Sequence, residues 1–389
     1  MKINLFVIHA LVWIMPLAAL SQQPTIDFLK SGEAKARSGD LNGALADFNK
    51  AIELSTNDAA AYLMRGALLI QMKNYDGALG DYNTAIEQMP HNKYAMEAAI
   101  AYDGRGEVKK QKNDFNGAIA DYSMAIEILP SDQLPYFGRG IVKKLKHDFP
   151  GAVEDFTKAI ELKPDDAEAF FNRGFVKSSA GDANGAMSDY NRAIELKADY
   201  GEVYINRGML KADKGSDDAA IEDYNKAIQY APNEPLAYFN RGEANRRKGN
   251  WEAALADYDK AIQLNPRLAE AYNNRGLLKA EHRVGNLDGV LADLNRAIEI
   301  KPDWPDAYAS RGRAKITMND LTGALSEFNR AISLSPTNAV AYAGRSAIER
   351  HNGNLHEALI DCEKAIEFDP KNQFYPTLRD AIKKQLQSK

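Results

Sequence analysis

The stretch AYFNRGEANRRKGNWEAALADYDKAIQLNP, Ala237 to Pro266, holds two apolar-periodic segments separated by a Gly249-Asn250 break. Tyr238, Gly242 and Asn245 share one helical face of the first segment; Ala254, Tyr258 and Ala261 share one face of the second, which ends before Pro266. The spacing predicts two helices of about fourteen residues joined by a tight turn. Gly242 and Ala254 are small where two helix axes would approach closely, and Tyr258 would fill the space beside them. A hairpin this thin cannot bury its own apolar faces, so it must stack on neighbours.

The neighbours are in the chain. An Ala-Ile pair closes an equivalent segment at Ala51, Ala85, Ala125, Ala159, Ala193, Ala227, Ala261, Ala297, Ala331 and Ala365, in steps of 34 residues except one of 40 and one of 36. Ten repeats therefore fill residues 25–372. The six extra residues, near Lys93 to Ala98, belong to the helix-compatible KYAMEAA and predict a longer first helix in the third repeat; two more, near Glu281 to Val284, read as a turn variant. Phe374, Leu378, Ile382 and Leu386 predict a capping helix over 373–389, which repeat arrays need for solubility.

This pattern resembles the tetratricopeptide repeat, and it does so over about nine tenths of the chain. Tyr238, Gly242, Ala254, Tyr258, Ala261 and Pro266 stand at the family's marker positions in one repeat, and their counterparts recur. The resemblance implies an all-α fold, a right-handed α-solenoid of ten helix-turn-helix repeats. It also implies that the first helix of each pair lines a concave groove that binds a peptide or another protein, and that there is no catalysis.

Arg241 stands directly before Gly242, and its counterparts are Arg65, Arg105, Arg139, Arg173, Arg207, Arg275, Arg311 and Arg345, with Ser31 in the first repeat. The second helix carries an acid one residue before its aromatic position: Asp47, Asp81, Asp121, Asp155, Asp189, Asp223, Asp257, Asp293, Glu327 and Asp361. Both charges face the packed seam. The chain ends decide between two pairings: Ser31 has no repeat before it, whereas Arg379 follows Asp361 by the eighteen residues that also separate Asp47 from Arg65, Asp189 from Arg207 and Asp223 from Arg241. The expectation is an inter-repeat ladder of partly buried arginine–carboxylate pairs that fixes register.

Residues two before and two after each arginine would point into the groove. In repeats four to seven these include Phe137, Ile141, Phe171, Phe175, Ile205, Met209 and Phe239, an apolar stretch suited to an interaction patch. The alternative is that they pack first helix against first helix. In outer repeats the same positions are small or charged, as with Asp103 and Glu107, Asn273 and Leu277, and Ala309 and Arg313. Lys110, Lys143, Lys144, Arg246 and Arg247 flank the apolar stretch.

Composition narrows the function classes. Lys+Arg number 49 against 54 Asp+Glu, a net charge of -5 with the signs interspersed, so no nucleic acid partner is expected. The single cysteine, Cys362, excludes an internal disulfide and reads as a core thiol. DGRGEVKK at Asp103 lacks a following Gly-Lys-Ser/Thr and lies inside a helix. Six histidines show no pair at metal spacing, so neither cofactor, metal nor catalytic residue is expected and the protein reads as a non-enzyme.

Residues 1–21 comprise one lysine, an apolar run from Ile3 to Leu20, and small Ala19 and Ser21 placed for signal-peptidase cleavage. The mature chain is then exported, periplasmic or secreted, without a membrane-spanning segment; an uncleaved anchor is the alternative. The leading functional reading is an exported adaptor that holds a protein segment in the groove. Two others stand beside it: a structural solenoid of an envelope complex or a self-assembly, and a glycan binder. Phenylalanines rather than Trp or Tyr in the groove weaken the last.

Overall fold

The computed structural model describes residues 23–89, 95–282 and 287–387, the side chain of Leu287 excepted. The expected signal segment 1–21 lies outside the described residues, as do Lys93, Tyr94, Arg283 and Val284 of the two insertions. Among the described residues there are twenty-one α-helices and no strand, so the all-α reading and the helix pairing hold. The stretch that decided the fold forms Pro235–Arg247 and Trp251–Leu264, with Gly249 at φ +81° in the turn between them.

Local chemistry sets the helix ends. Asp40, Asp114, Asp148, Asp182 and Asp320 each cap a second helix by accepting a hydrogen bond from the backbone N–H of a glycine three residues on. The turn into that helix passes through one residue in the left-handed region, which is a glycine at Gly39, Gly181, Gly215, Gly249 and Gly353. Lys73, Asn113, His147 and Asn319 take the same conformation without being glycine.

The chain divides into two compact halves, Met1–Val203 and Tyr204–Lys389, with the boundary inside the first helix of the sixth repeat, Gly201–Asp213. In each half, a second helix packs on its own first helix and on the first helix of the following repeat. The filler is the aromatic side chain: Phe48, Tyr82, Tyr122, Phe156 and Tyr190 in the first half, and Tyr224, Tyr258 and Phe328 in the second, all fully buried. Glycine makes room on both sides of it. A Cβ on Gly242 would stand 2.9 Å from Cε1 of Tyr258 in its own repeat, and one on Gly138 would stand 2.7 Å from Cε1 of Tyr122 in the repeat before. Each fully buried aromatic contributes about 2–3 kcal/mol of apolar burial.

The first helix of the third repeat, Ala95–Gln111, has 17 residues where that of the second, Ala59–Gln71, has 13. At the other end Phe374–Gln387 lays Leu378 and Ile382 on Leu355, Ala358 and Cys362 of the tenth repeat. Cys362 is fully buried and donates to the Tyr375 carbonyl at 3.3 Å; burial pushes its thiol above the ordinary range.

Candidate partner-binding site

The arginine ladder exists, but its main rungs lie within repeats. Arg241 grips Asp257, sixteen residues on, through Nε to Oδ2 at 3.0 Å and Nη2 to Oδ1 at 2.6 Å. Arg65 holds Asp81, Arg207 holds Asp223 and Arg345 holds Asp361 in the same two-pronged way. The expected pairs Asp47–Arg65, Asp189–Arg207, Asp223–Arg241 and Asp361–Arg379 are therefore replaced: Asp189 pairs with Arg173 and Lys177, and Arg379 with Asp380. At the first repeat Asp47 keeps the intra-repeat rule without an arginine, accepting from Ser31 Oγ at 2.6 Å and from Lys35 at 2.7 Å.

The physical reason is reach. The arginine's own second helix is packed against it through the glycine–aromatic contact, so its Nε–Nη2 edge meets the acid of that helix face on. The remaining nitrogen, Nη1, does cross to the preceding repeat, where it donates to the residue two beyond that repeat's acid. Arg65 reaches Asn49, Arg139 reaches Ser123, Arg173 reaches Thr157 and Arg241 reaches Asn225, at 2.6–3.1 Å. Lysines four residues after the arginine supply a second cation that the sequence reading overlooked: Lys109, Lys143, Lys177, Lys211, Lys279 and Lys315 all pair with the same acid. Their recurrence at one offset was the available signal.

Two acids of the series depart from the ordinary carboxyl range, in opposite directions. Leu69 stands at the lysine position of the second repeat, and burial pushes the Asp81 carboxyl above its ordinary value despite Arg65. For Asp47, burial acts in the same sense, but hydrogen bonds from Lys35 and Ser31 hold its carboxyl below the ordinary value.

The apolar stretch expected in the middle repeats is largely filled by its own side chains. Phe171 and Ile205 are buried; Phe171 packs on Tyr190 and Tyr200 with ring centroids at 6.1 and 5.2 Å. Phe137 and Ile141 pack into the cluster around Phe156, and Phe239 into that around Tyr258. Of the seven, only Phe175 at 39% and Met209 at 44% are exposed. The flanking cations are engaged: Lys110 with Glu107, Lys143 with Asp155, Arg246 with Glu243 and Arg247 with Asp217. Lys144 donates to Asn172 at 2.7 Å and lies 5.4 Å from the Phe175 ring centre.

Open space lies instead where the sequence places small residues. In the second half, a cavity of about 430 Å³ is lined by Ile316, Val340, Ala343, Gly344, Ala347, Phe374 and Tyr375, with Arg313 and Asn372 as polar members. A second, of about 220 Å³, continues from Arg313 and Ile316 to Leu277, Ala280 and Glu281. Every lining residue comes from a first helix of repeats eight to ten or from the segment carrying the C-terminal helix, and none from a second helix. Val340 is 41% and Phe374 60% exposed, and Arg313 and Glu281, both lining the second cavity, form an ion pair at 2.6 Å. Bulky groove residues fill their own groove; Ala343, Gly344 and Ala347 leave it empty.

Models described as "TPR repeat" match residues 210–249 and 242–282, and models described as "Tetratricopeptide repeat" match 29–93, 167–200 and 310–373. The chain is a tetratricopeptide repeat protein. No curated protein matches it over its length or in part. Among solved structures, this tetratricopeptide repeat protein is similar to the APC/C hetero-tetramer Cut9–Hcn1, at 13% identity over 95% of this chain and 98% of that one, with a TM-score of 0.51. It is also similar to YrrB, described as a TPR protein with an unusual peptide-binding site, at 28% identity over 50% of this chain and 97% of that one, with a TM-score of 0.42. Yeast Tom70 follows at 18% over 93% and 88%, with a TM-score of 0.44. Tetratricopeptide repeats are in general non-enzymatic scaffolds for protein interaction. Among the described residues no group of three His, Cys, Asp or Glu is placed to hold a metal ion, and no helix is long and apolar enough to cross a membrane.

Proposed function

We propose that the protein is an exported adaptor, without enzymatic activity, that holds a peptide segment of a partner protein against the first helices of repeats eight to ten. The observation that carries this reading is the pair of largely apolar cavities that have Arg313 and Ile316 in common, the larger lined also by Val340, Ala343 and Ala347. An apolar side chain of the peptide enters between Val340 and Phe374. An acidic residue beside it meets Arg313, exchanging with Glu281 in an ion pair that is half exposed and so weakly held. Export rests on the signal-like segment 1–21.

Displayed-peptide selection on the mature chain tests the reading. Enriched sequences should pair an apolar residue with a neighbouring acid, and Ala347→Phe, which fills the cavity, should weaken them by about tenfold or more while leaving the helical spectrum unchanged. Selected peptides that bind Ala347→Phe as tightly as the parent would refute it.

A further inference from the structure

The larger cavity of the second half has the dimensions of a small-molecule site. Its volume, about 430 Å³, lies inside the range of about 300–1,000 Å³ in which such ligands bind. Its floor is one face of the helix Ala339–His351, where Val340, Ala343 and Ala347 follow one another at three and four residues and so extend over about 10 Å. Ile316, from the first helix of the preceding repeat, Pro305–Thr317, and Phe374, from the C-terminal helix, flank that floor.

The polar groups of this trench are few, and one of them is charged. Asn372 Oδ1 already accepts from the Phe374 N–H at 3.1 Å, and Tyr375 is 4% exposed. Arg313 is in a different position. Among the described residues it donates through Nη2 alone, to Glu281, in a pair whose side chains are 48% and 41% exposed. The ladder arginines commit Nε, Nη1 and Nη2 together, as Arg241 does. Arg313 therefore keeps unused donors beside an apolar trench, and no carboxylate is among the residues that line the larger cavity. A ligand with several polar groups along its length would find nothing on Ala343, Ala347 or Ile316 to satisfy them, whereas an aliphatic chain brings none.

We infer that the larger cavity binds a free medium-chain fatty acid, its chain along Val340, Ala343 and Ala347 between Ile316 and Phe374 and its carboxylate on the unused edge of Arg313. Burial of the chain supplies most of the affinity, at about fourfold per methylene, while the guanidinium selects the charged head. The carboxylate does not have to break the Arg313–Glu281 pair, because a guanidinium carries further N–H donors, but Glu281 repels it.

Isothermal titration of the full chain with decanoate, octanoate and hexanoate, each below its micelle concentration, tests the site, with decanol and decyltrimethylammonium as head-group controls. Decanoate should bind about tenfold or more tightly than either control, and each pair of methylenes removed should weaken it by about tenfold. Arg313→Gln should erase the preference for the carboxylate and leave decanol unchanged, whereas Glu281→Gln should tighten decanoate by about threefold. Both side chains are half exposed, so the two variants keep the fold. Ala347→Phe, which fills the trench, should abolish binding of acid and alcohol alike. Decanol binding as tightly as decanoate, a carboxylate preference that survives in Arg313→Gln, decanoate binding that persists in Ala347→Phe, or the absence of saturable binding each overturns the site. The titration contains no peptide, so its outcome is independent of the peptide selection.

Discussion

Arg241 spends two nitrogens on Asp257 and a third on Asn225, and the bonds differ in what their loss does. Arg241→Leu leaves Asp257, 5% exposed, with only Asn245 at 3.2 Å, and should destabilise by about 3 kcal/mol in urea unfolding. Adding Asp257→Leu should recover most of that loss, whereas adding Asp223→Leu should deepen it, because Asp223 belongs to Arg207. Glu327 supplies the converse case. Its extra methylene lets Arg311 donate through Nη2 at 2.8 Å but strands Nε, buried and unpartnered, so Glu327→Asp should stabilise by about 1 kcal/mol. Asp103 sets a pH dependence of stability. Its carboxyl is raised by folding, so its favourable contribution is present at acidic pH and lost as pH climbs through the raised value. The melting-temperature difference between Asp103→Asn and the parent should accordingly be largest at neutral pH and shrink on acidification.

At the scale of the helix and its turn, the sequence was legible wherever a residue type has one physical use. The glycine–alanine–aromatic seam and the glycine-marked turns, such as that at Gly249, were readable because small residues mark close approach and left-handed backbone. Lys73, at φ 59°, breaks that turn rule, and Lys73→Gly should raise stability by about 1 kcal/mol in the same urea assay. The ion-pair partners were not readable. In a 34-residue repeat, an acid eighteen before an arginine is also sixteen after the previous one, so periodicity alone cannot separate the two pairings. The insertions pull in opposite directions: Arg105 keeps sixteen residues to Asp121, while Arg275 stands eighteen from Asp293. Ser31 and Arg379 looked decisive because a hydroxyl and a neighbouring lysine were not counted as substitutes for a guanidinium. The packing of the expected groove patch escaped the sequence for a related reason: apolar bulk was read as available surface, although Phe171 and Phe137 consume the space they border.

For the molecule as a whole, stacking leaves two ends that need separate treatment. The C-terminal helix covers the last repeat through Leu378 and Ile382, and Cys362 beneath it is a built-in reporter. Truncation after Asn372 should turn that thiol from unreactive to rapidly alkylated in native buffer, while the intact chain labels only through opening of its end. The bond from each ladder arginine to its own repeat's acid, two-pronged except at Arg311, bears on how such a chain lengthens. Because each of these arginine–acid pairs is closed within one repeat cassette, duplication or loss of a whole cassette by unequal genetic exchange orphans neither the guanidinium nor the carboxylate of the ladder. For the ladder arginine it is the single Nη1 bond that has to be re-formed at the new junction, and Asn, Ser, Thr or Asp all serve there.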